Sequence, residues 1–364
     1  MRILVAPQEF KGSLSADEAA AAIAAGIRAA RPAWTIDLLP LSDGGPGLLD
    51  ALRRAVRADT CAAVVHDPLG RRVLGRYLRL RESGEAVIEA AQANGLFHLK
   101  PGERDALRAD SFGVGELIAD AAAGQPARML IGVGGSATTD GGAGALRALG
   151  ARFFDMAGAE LPPGGAALAR LERIDWRPPP WLGAFPIVVA TDVRSPLCGP
   201  DGAARVFAPQ KGASPAEVDL LEEALERFAA VVRRATGVDL RGLPGAGAAG
   251  GLAGGLHAFL DAAIESGFDV VARVTRFAER LAAADLVITG EGSYDVQSLA
   301  GKVTGRVAEA ARAAGKPVVI FAGRADLPGA RTLADLEPDP ARAMAHAAPL
   351  LRQLAARWAA EQPA

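Results

Sequence analysis

Met129-Leu-Ile-Gly-Val-Gly-Gly-Ser-Ala-Thr-Thr-Asp-Gly-Gly-Ala-Gly144 begins as a short apolar run, becomes a glycine-rich loop and continues into an Ala/Leu stretch through Leu149. A strand-length apolar run feeding a glycine loop and then a helix is the repeating unit of open α/β sheets. The loop also has a chemistry. Glycines let backbone N–H groups approach an anion, Ser136, Thr138 and Thr139 add hydroxyl donors, and a helix N-terminus favours negative charge. Phosphate or carboxylate binding is the natural inference, with Gly134, Gly135, Ser136, Thr138 and Asp140 placed at the ligand. The plainer alternative is a tight strand-to-helix turn whose glycines serve packing.

Working outward, β-branched apolar runs recur at Ile3–Ala6, Thr35–Leu39, Ala86–Ile88, Ile187–Ala190, Leu286–Thr289 and Val318–Ala322, mostly separated by Ala-rich stretches of helical spacing. This alternation reads as α/β with largely parallel sheets. Ser13 or Ser15 caps a helix over Ala16–Ala30, Ser214-Pro-Ala-Glu217 is a capping box opening a helix through Val232, and a last helix runs from Pro340 to about residue 360. Between Cys61 and Glu89, Asp67-Pro-Leu-Gly70 and Glu82-Ser-Gly-Glu85 read as hairpin turns in an antiparallel piece. Changes of pattern near residues 75 and 280 place one domain at 1–75 plus 280–364 and a second, inserted, at 76–279. A chain of 364 residues has room for both, since a single core rarely exceeds ~250–300 residues.

The formal net charge is −2 and no segment approaches the ~18 apolar residues of a membrane span, so nothing points to a nucleic-acid or membrane partner. The N-terminus enters a strand directly, without the segments of a signal peptide, and the protein reads as cytoplasmic. Cys61 and Cys198 are too few for a disulfide scaffold or a zinc cluster and read as inert thiols; the four histidines are scattered singly.

Several apolar runs lead straight into loops of glycine and carboxylate: Val5-Ala-Pro-Gln-Glu-Phe-Lys-Gly12, Leu41-Ser-Asp-Gly-Gly45, Ala190-Thr-Asp192 and Ile288-Thr-Gly-Glu-Gly-Ser-Tyr-Asp295. Ligands of open α/β sheets bind beyond the carboxyl ends of strands, so acids repeatedly placed there indicate one convergent site. Any one of them alone reads as a helix cap. Pro209-Gln-Lys-Gly212, Pro244-Gly-Ala-Gly-Ala-Ala-Gly-Gly251 and Gly301-Lys302 offer further anion-binding backbone, with Lys211 and Lys302 as phosphate partners, although each lysine taken alone reads as a solvated surface residue. There is no GxxxxGK[ST] loop and no HRD or DFG element, so any ATP site uses another scaffold. Gly132-x-Gly134-x-x-Ala137, with Asp155 ending the next strand-like run about 20 residues on, matches the dinucleotide fingerprint and keeps an NAD(P)-dependent oxidoreductase as the alternative of a different class.

Phe10-Lys-Gly-Ser-Leu14, Asp43-Gly-Gly45, Pro68-Leu-Gly70, Gly113-Val-Gly-Glu-Leu117, the Gly132–Gly144 loop, Pro209-Gln-Lys-Gly212, Pro244–Gly251 and Thr289-Gly-Glu-Gly292 occur in an order that resembles bacterial glycerate kinases of the type that phosphorylates the 2-hydroxyl. The resemblance runs from residue 1 to about 323. It implies two three-layer α/β domains, one Rossmann-like and the second inserted in the first, with glycerate and nucleotide bound in the cleft between them. It further implies transfer from ATP with Mg2+ to D-glycerate, and leaves room for a homodimer. For phosphoryl transfer, Asp192 or Asp295 is assigned as the acid near the substrate hydroxyl, Asp43 and Glu291 as magnesium-associated carboxylates, Lys11, Lys211 and Lys302 as partners of phosphate or carboxylate oxygens, and Gly245, Gly247 and Gly250 as backbone donors beside the Gly134–Asp140 loop. The chain departs from the family pattern at Gln8-Glu9, Pro46, Ser293 and Arg194-Ser195, where two acids and an arginine are lost and Glu9 and Arg194 are new. A kinase for another small hydroxy acid, or a member that has lost turnover, stays open on that account.

Overall fold

The computed structural model describes residues 1–299 and 302–363. By its contacts the chain divides into two compact units, one made of Met1–Asp43, Asp50–Val56 and the chain from Phe268 onward, the other of Gly44–Leu49 and Arg57–Gly267.

The first unit holds a five-stranded, wholly parallel sheet in the order Ala330–Thr332, Val318–Ala325, Leu286–Tyr294, Arg2–Val5, Thr35–Leu38. Parallel strands need cover on both faces, and the alternation of side chains supplies it. Ile3, Val5, Ile288 and Phe321 face the helices Ala16–Ala30 and Ala347–Glu361, while Ile320 and Ala322 pack with Ala308 from the helix Val303–Ala313 on the other side. Ser15 starts the first of these helices with a reciprocal capping box to Glu18. A Cβ at Gly26 would lie 2.2 Å from the carbonyl oxygen of Arg352, so only glycine lets the two covering helices come this close.

The second unit holds a six-stranded mixed sheet in the order Ala263–Glu265, Ile187–Ala190, Met129–Gly132, Ala86–Glu89, Arg72–Leu80, Ala58–His66. The first four strands are parallel and the last two antiparallel. Arg152–Phe154 and Arg173–Asp175 form a separate two-stranded ribbon. In the hairpin, Asp67 Oδ1 accepts the amides of Leu69 and Arg71 at 2.9 Å each, the local bond that makes Asp-Pro-Leu-Gly a turn. The helix Pro215–Thr236 begins at the Ser214 capping box and buries Leu221, Leu225, Phe228 and Val232 at helical spacing.

Every apolar run read as a strand is one. The strand-like run that Asp155 ends is the strand Arg152–Phe154, and three further strands escaped notice because each is only three residues long: Arg173–Asp175, Ala263–Glu265 and Ala330–Thr332. The expected unit change at 75/76 would cut through Arg72–Leu80, which pairs with Ala58–His66 from Ala58↔Leu80 to His66↔Arg72; the main segment of the second unit starts instead at Arg57, after the short piece Gly44–Leu49, and ends at Gly267 rather than 279. The single terminal helix is two, Pro340–Ala345 and Ala347–Glu361, broken at His346.

Phe228 is fully buried and supports Gly141, where an added Cβ would touch its ring at 2.8 Å. Phe228→Ala is expected to destabilise the second unit by about 3–5 kcal/mol. Ser214→Ala, which removes a cap without touching the core, should cost about 1 kcal/mol. Urea unfolding followed by circular dichroism measures both; a loss at Phe228 no larger than at Ser214 would contradict this packing.

Candidate active site

In the second unit, Glu89, Gly132, Ala190 and Glu265 stand in one register row at the carboxyl ends of the four parallel strands. The loops leaving that row are drawn together by backbone bonds. Gly134 N donates to Gly44 O at 3.3 Å, Ala137 N to Asn94 O at 2.7 Å and Gly141 N to Gly250 O at 3.0 Å. Gly44 has φ +89° and a Cβ there would lie 2.8 Å from the Ala190 carbonyl oxygen, so its glycine is required twice over.

Asp140 organises the glycine loop from inside. It is fully buried; Oδ2 accepts from Ser111 N at 2.9 Å, Ser111 Oγ at 2.7 Å and Gly144 N at 3.1 Å, and Oδ1 from Gly142 N at 3.1 Å. Asp110 lies behind it, accepting from Phe112 N at 2.8 Å and Gly164 N at 3.1 Å; burial and the charge of Asp140 push its carboxyl up to about 6. Lys211, only 3% exposed, donates from Nζ to Thr138 O at 2.6 Å and Ser136 Oγ at 3.4 Å. Burial brings its ammonium down to about 8, against the opposing pull of Asp140.

This geometry corrects the expectation that the loop's side chains face a ligand. Gly135 is exposed and Gly134 partly so, but Ser136 is buried and Thr138 and Asp140 fully so; Thr138 Oγ1 accepts from Asn94 Nδ2 at 3.3 Å. Backbone at Gly135 is what the loop presents, because Gly134 N is already given to Gly44 O and a carboxylate with four donors to satisfy has turned the rest inward. Gly245, Gly247 and Gly250 are likewise buried. Gly245 N donates to Arg194 O, Gly247 N to Ser195 O, and Gly250 gives its carbonyl to Gly141, so this cluster braces two neighbouring loops rather than offering open donors. A Cβ at Gly250, whose φ is +69°, would lie 2.0 Å from Thr138 O. Ala249 beside it holds φ +55° without being glycine, a local strain of the kind that collects at functional loops. Asp192 follows the strand Ile187–Ala190 as expected, half-buried, with Oδ1 accepting from Ser266 Oγ at 2.8 Å.

The first unit presents its own set at the carboxyl ends of its strands. Gln8 N donates to Gly290 O at 2.9 Å, and Gln8 Nε2 to Asp43 Oδ2 at 3.2 Å. Glu9 sits between burial and the negative charge of Asp43, which raise its carboxyl, and Lys11, which lowers it. Lys11 itself is exposed. Glu291 is 5% exposed and 3.8 Å from Lys302 Nζ; burial raises its carboxyl, offset by the hydroxyls of Ser298 and Thr304 and by Lys302. Its Oε1 accepts no hydrogen bond. Ser293 Oγ donates to Asp295 Oδ2 at 3.4 Å and accepts from Arg324 Nε at 3.1 Å, so a guanidinium from the adjacent strand reaches the position where the family pattern has lost its arginine. Arg194 is exposed, and Gly301 lies outside the described residues.

The dinucleotide reading fails on geometry. After Met129–Gly132 the chain stays irregular until the short helix Ala143–Ala148, so no helix N-terminus follows Gly132-x-Gly134-x-x-Ala137. Asp155 instead closes a turn, accepting from Ala157 N and Ala159 N at 2.9 Å each. Among residues the sequence reading passed over, Glu89 is 2% exposed and accepts from Leu49 N at 3.3 Å. Its signal was present as a lone acid closing the apolar run Ala86-Val-Ile-Glu89. Asn94, Asp110 and Ser266 gave none.

A family model described as the glycerate kinase family matches residues 3–361. A glycerate kinase from Bacillus subtilis (strain 168) is 42% identical over 324 residues, covering 89% of this chain and 85% of its own. A glycerate 2-kinase from Escherichia coli (strain K12) is also 42% identical over 324 residues, with the same coverage. A crystal structure from Salmonella typhimurium LT2, assigned as a glycerate kinase 2, superposes with a TM-score of 0.85 at 41% identity, covering 99% of this chain and 97% of that one. With that extent of agreement in sequence and in fold, the chain belongs to the glycerate kinase family.

Proposed function

We infer that this protein is an ATP-dependent kinase that phosphorylates D-glycerate. The observation that carries the reading is the family match over nearly the whole chain, together with relatives named glycerate kinase and glycerate 2-kinase that are 42% identical. Transfer to the 2-hydroxyl, giving 2-phosphoglycerate, is the outcome we propose. We also propose that the two contact units are the two domains, the first Rossmann-like and the second inserted into it; the parallel sheet covered on both faces and the discontinuous first unit support this. No described helix is long and apolar enough to cross a membrane, and a cytoplasmic location is proposed with it.

Phosphoryl transfer asks for a positioned hydroxyl, neutralised phosphate charge and a group to manage the hydroxyl proton. Asp295 and Asp192, at the carboxyl ends of parallel strands in their respective units, are the proposed proton-managing acids. Exposed backbone at Gly135 is the proposed contact for phosphate or carboxylate oxygens, with the Lys211 ammonium beneath the loop adding positive potential. Lys11 and Lys302 are proposed as cationic partners on the first unit. Magnesium, when bound, neutralises charge on the transferred phosphoryl group. Asp43 and Glu291 fit it: Glu291 keeps one buried oxygen without a donor, and Lys302 favours its ionised form. The departures from the family pattern are compensated in our reading, since Gln8 donates to Asp43 where a second acid would repel it, Glu9 restores a carboxylate one position on, and Arg324 reaches Ser293.

Purified protein given Mg-ATP and D-glycerate in a coupled ADP-release assay should turn over, with L-glycerate and related hydroxy acids poorer. Asp295→Asn and Glu291→Gln should each lower kcat at least about 100-fold, and Ser293→Arg alone should not raise it. Turnover on a relative but not on D-glycerate would overturn the substrate assignment, and retention of full activity in both variants would overturn the site.

Lys211 gives a pH test. Its folded value lies below the ordinary 10.5, at about 8, so the charged form is present at neutral pH and is lost as pH rises through about 8. KM should therefore climb on the alkaline side with a midpoint near that value, as measured by steady-state kinetics. In Lys211→Met that limb should vanish and kcat/KM should drop about 10- to 100-fold, the worth of a charged hydrogen bond. An unchanged alkaline limb in the variant would assign it to another group.

A further inference from the structure

The segment after the strand Ile187–Ala190 carries Asp192 and reaches Cys198, and the helix Pro215–Thr236 brings Glu222 and Glu226 to it from one face, four residues apart. Cys198 Sγ and one oxygen from each carboxylate all lie within 4.8 Å of one another. Cys198 is 6% exposed and Glu222 8%, while Glu226 is open to solvent. Glu222 accepts the amide of Gly199 with Oε1, but its Oε2 is buried and has no hydrogen-bond partner. Buried carboxylate oxygens are rarely left so, and an orphan of this kind calls for an occupant. Arg241 Nε lies 3.1 Å from Glu226 Oε2, on the solvent side.

We propose that Cys198, Glu222 and Glu226 form a binding site for a thiophilic divalent cation of the zinc class, separate from the phosphoryl-transfer residues. Thiolate selects against magnesium and calcium, which take oxygen ligands alone. Three protein ligands of sulfur and carboxylate oxygen, with water in the fourth position, make a tetrahedral zinc set. Binding forms the metal–sulfur bond and releases the thiol proton to solvent, so no oxidant or reductant enters. The consequence for the fold is a staple. Arg194 and Ser195, in the same segment, accept the amides of Gly245 and Gly247, so a cation at Cys198 would fix both the Asp192 loop and the glycine cluster to the long helix.

Because the readout is spectroscopic, its outcome is independent of whether the enzyme phosphorylates glycerate. Reduced, metal-stripped full-length protein is titrated with Co2+ in the absence of nucleotide and magnesium, then with Zn2+ as competitor. The expected result is a thiolate-to-cobalt charge-transfer band saturating at one equivalent and removed by Zn2+. Cys198→Ser should abolish it, Glu222→Gln and Glu226→Gln should each weaken binding at least about tenfold, and Cys61→Ser should leave it intact. Glu226 is exposed, so Glu226→Gln tests the site without risk to folding; an unchanged melting temperature of its metal-free form confirms this. Absence of the band in the wild type, its survival in Cys198→Ser, or undiminished affinity in Glu226→Gln overturns the proposal.

Discussion

The buried carboxylate of Asp140 is the constraint on which the second unit's functional edge depends. A charge removed from water must find donors, and Asp140 finds them in Ser111, Gly142 and Gly144. Those bonds tie the turn after Met129–Gly132 to the segment entering the helix Phe112–Ala123. They also set the sense of the loop: hydroxyls and carboxylate inward, the backbone of Gly135 outward. Lys211, reaching Thr138 O and Ser136 Oγ, adds a cation beneath the same loop, with its ammonium held below the ordinary lysine value by burial. A loop held by this many internal bonds has its course set without a ligand, which is what electrostatic preorganisation requires.

Glycine plays two different parts in this arrangement. At Gly135 it leaves exposed backbone beside Pro46, whose Cγ an added Cβ would meet at 2.4 Å, whereas at buried Gly250 it lets one loop press on another, where any side chain would strike Thr138 O. The two uses are indistinguishable as letters in a sequence. That is why Gly245, Gly247 and Gly250 read as ligand donors although their structural work is to brace neighbouring loops.

The strands were legible because short β-branched apolar runs have few other uses, and the helices of the capping boxes because Ser15 and Ser214 name their own start. The placement of Asp43, Asp192 and Asp295 beyond strand ends followed from the same pattern, whereas Glu291, expected in the loop, lies within the strand Leu286–Tyr294. Side-chain direction did not: whether Thr138 faces out or in depends on Asn94 and Asp140, which only the folded chain brings together. The short strands Arg173–Asp175, Ala263–Glu265 and Ala330–Thr332 carry too little periodicity to be seen, and the start of the second unit's main segment hid behind a hairpin whose far strand spans residue 75. The grouping of Cys198 with Glu222 and Glu226 was equally invisible, since the cysteine lies more than 20 residues before its partners and looks alone.

The steady-state kcat/KM of Asp140→Asn with D-glycerate and Mg-ATP tests the central claim most directly, provided circular dichroism shows that its sheets remain. Asparagine keeps the size of the side chain but offers one oxygen to four donors, so the loop should lose its fixed geometry. A fall of at least about 100-fold is predicted, since small misplacements of positioning groups cost that much. Unchanged kinetics in a folded Asp140→Asn protein would contradict the proposal that the buried carboxylate holds a loop needed for phosphoryl transfer.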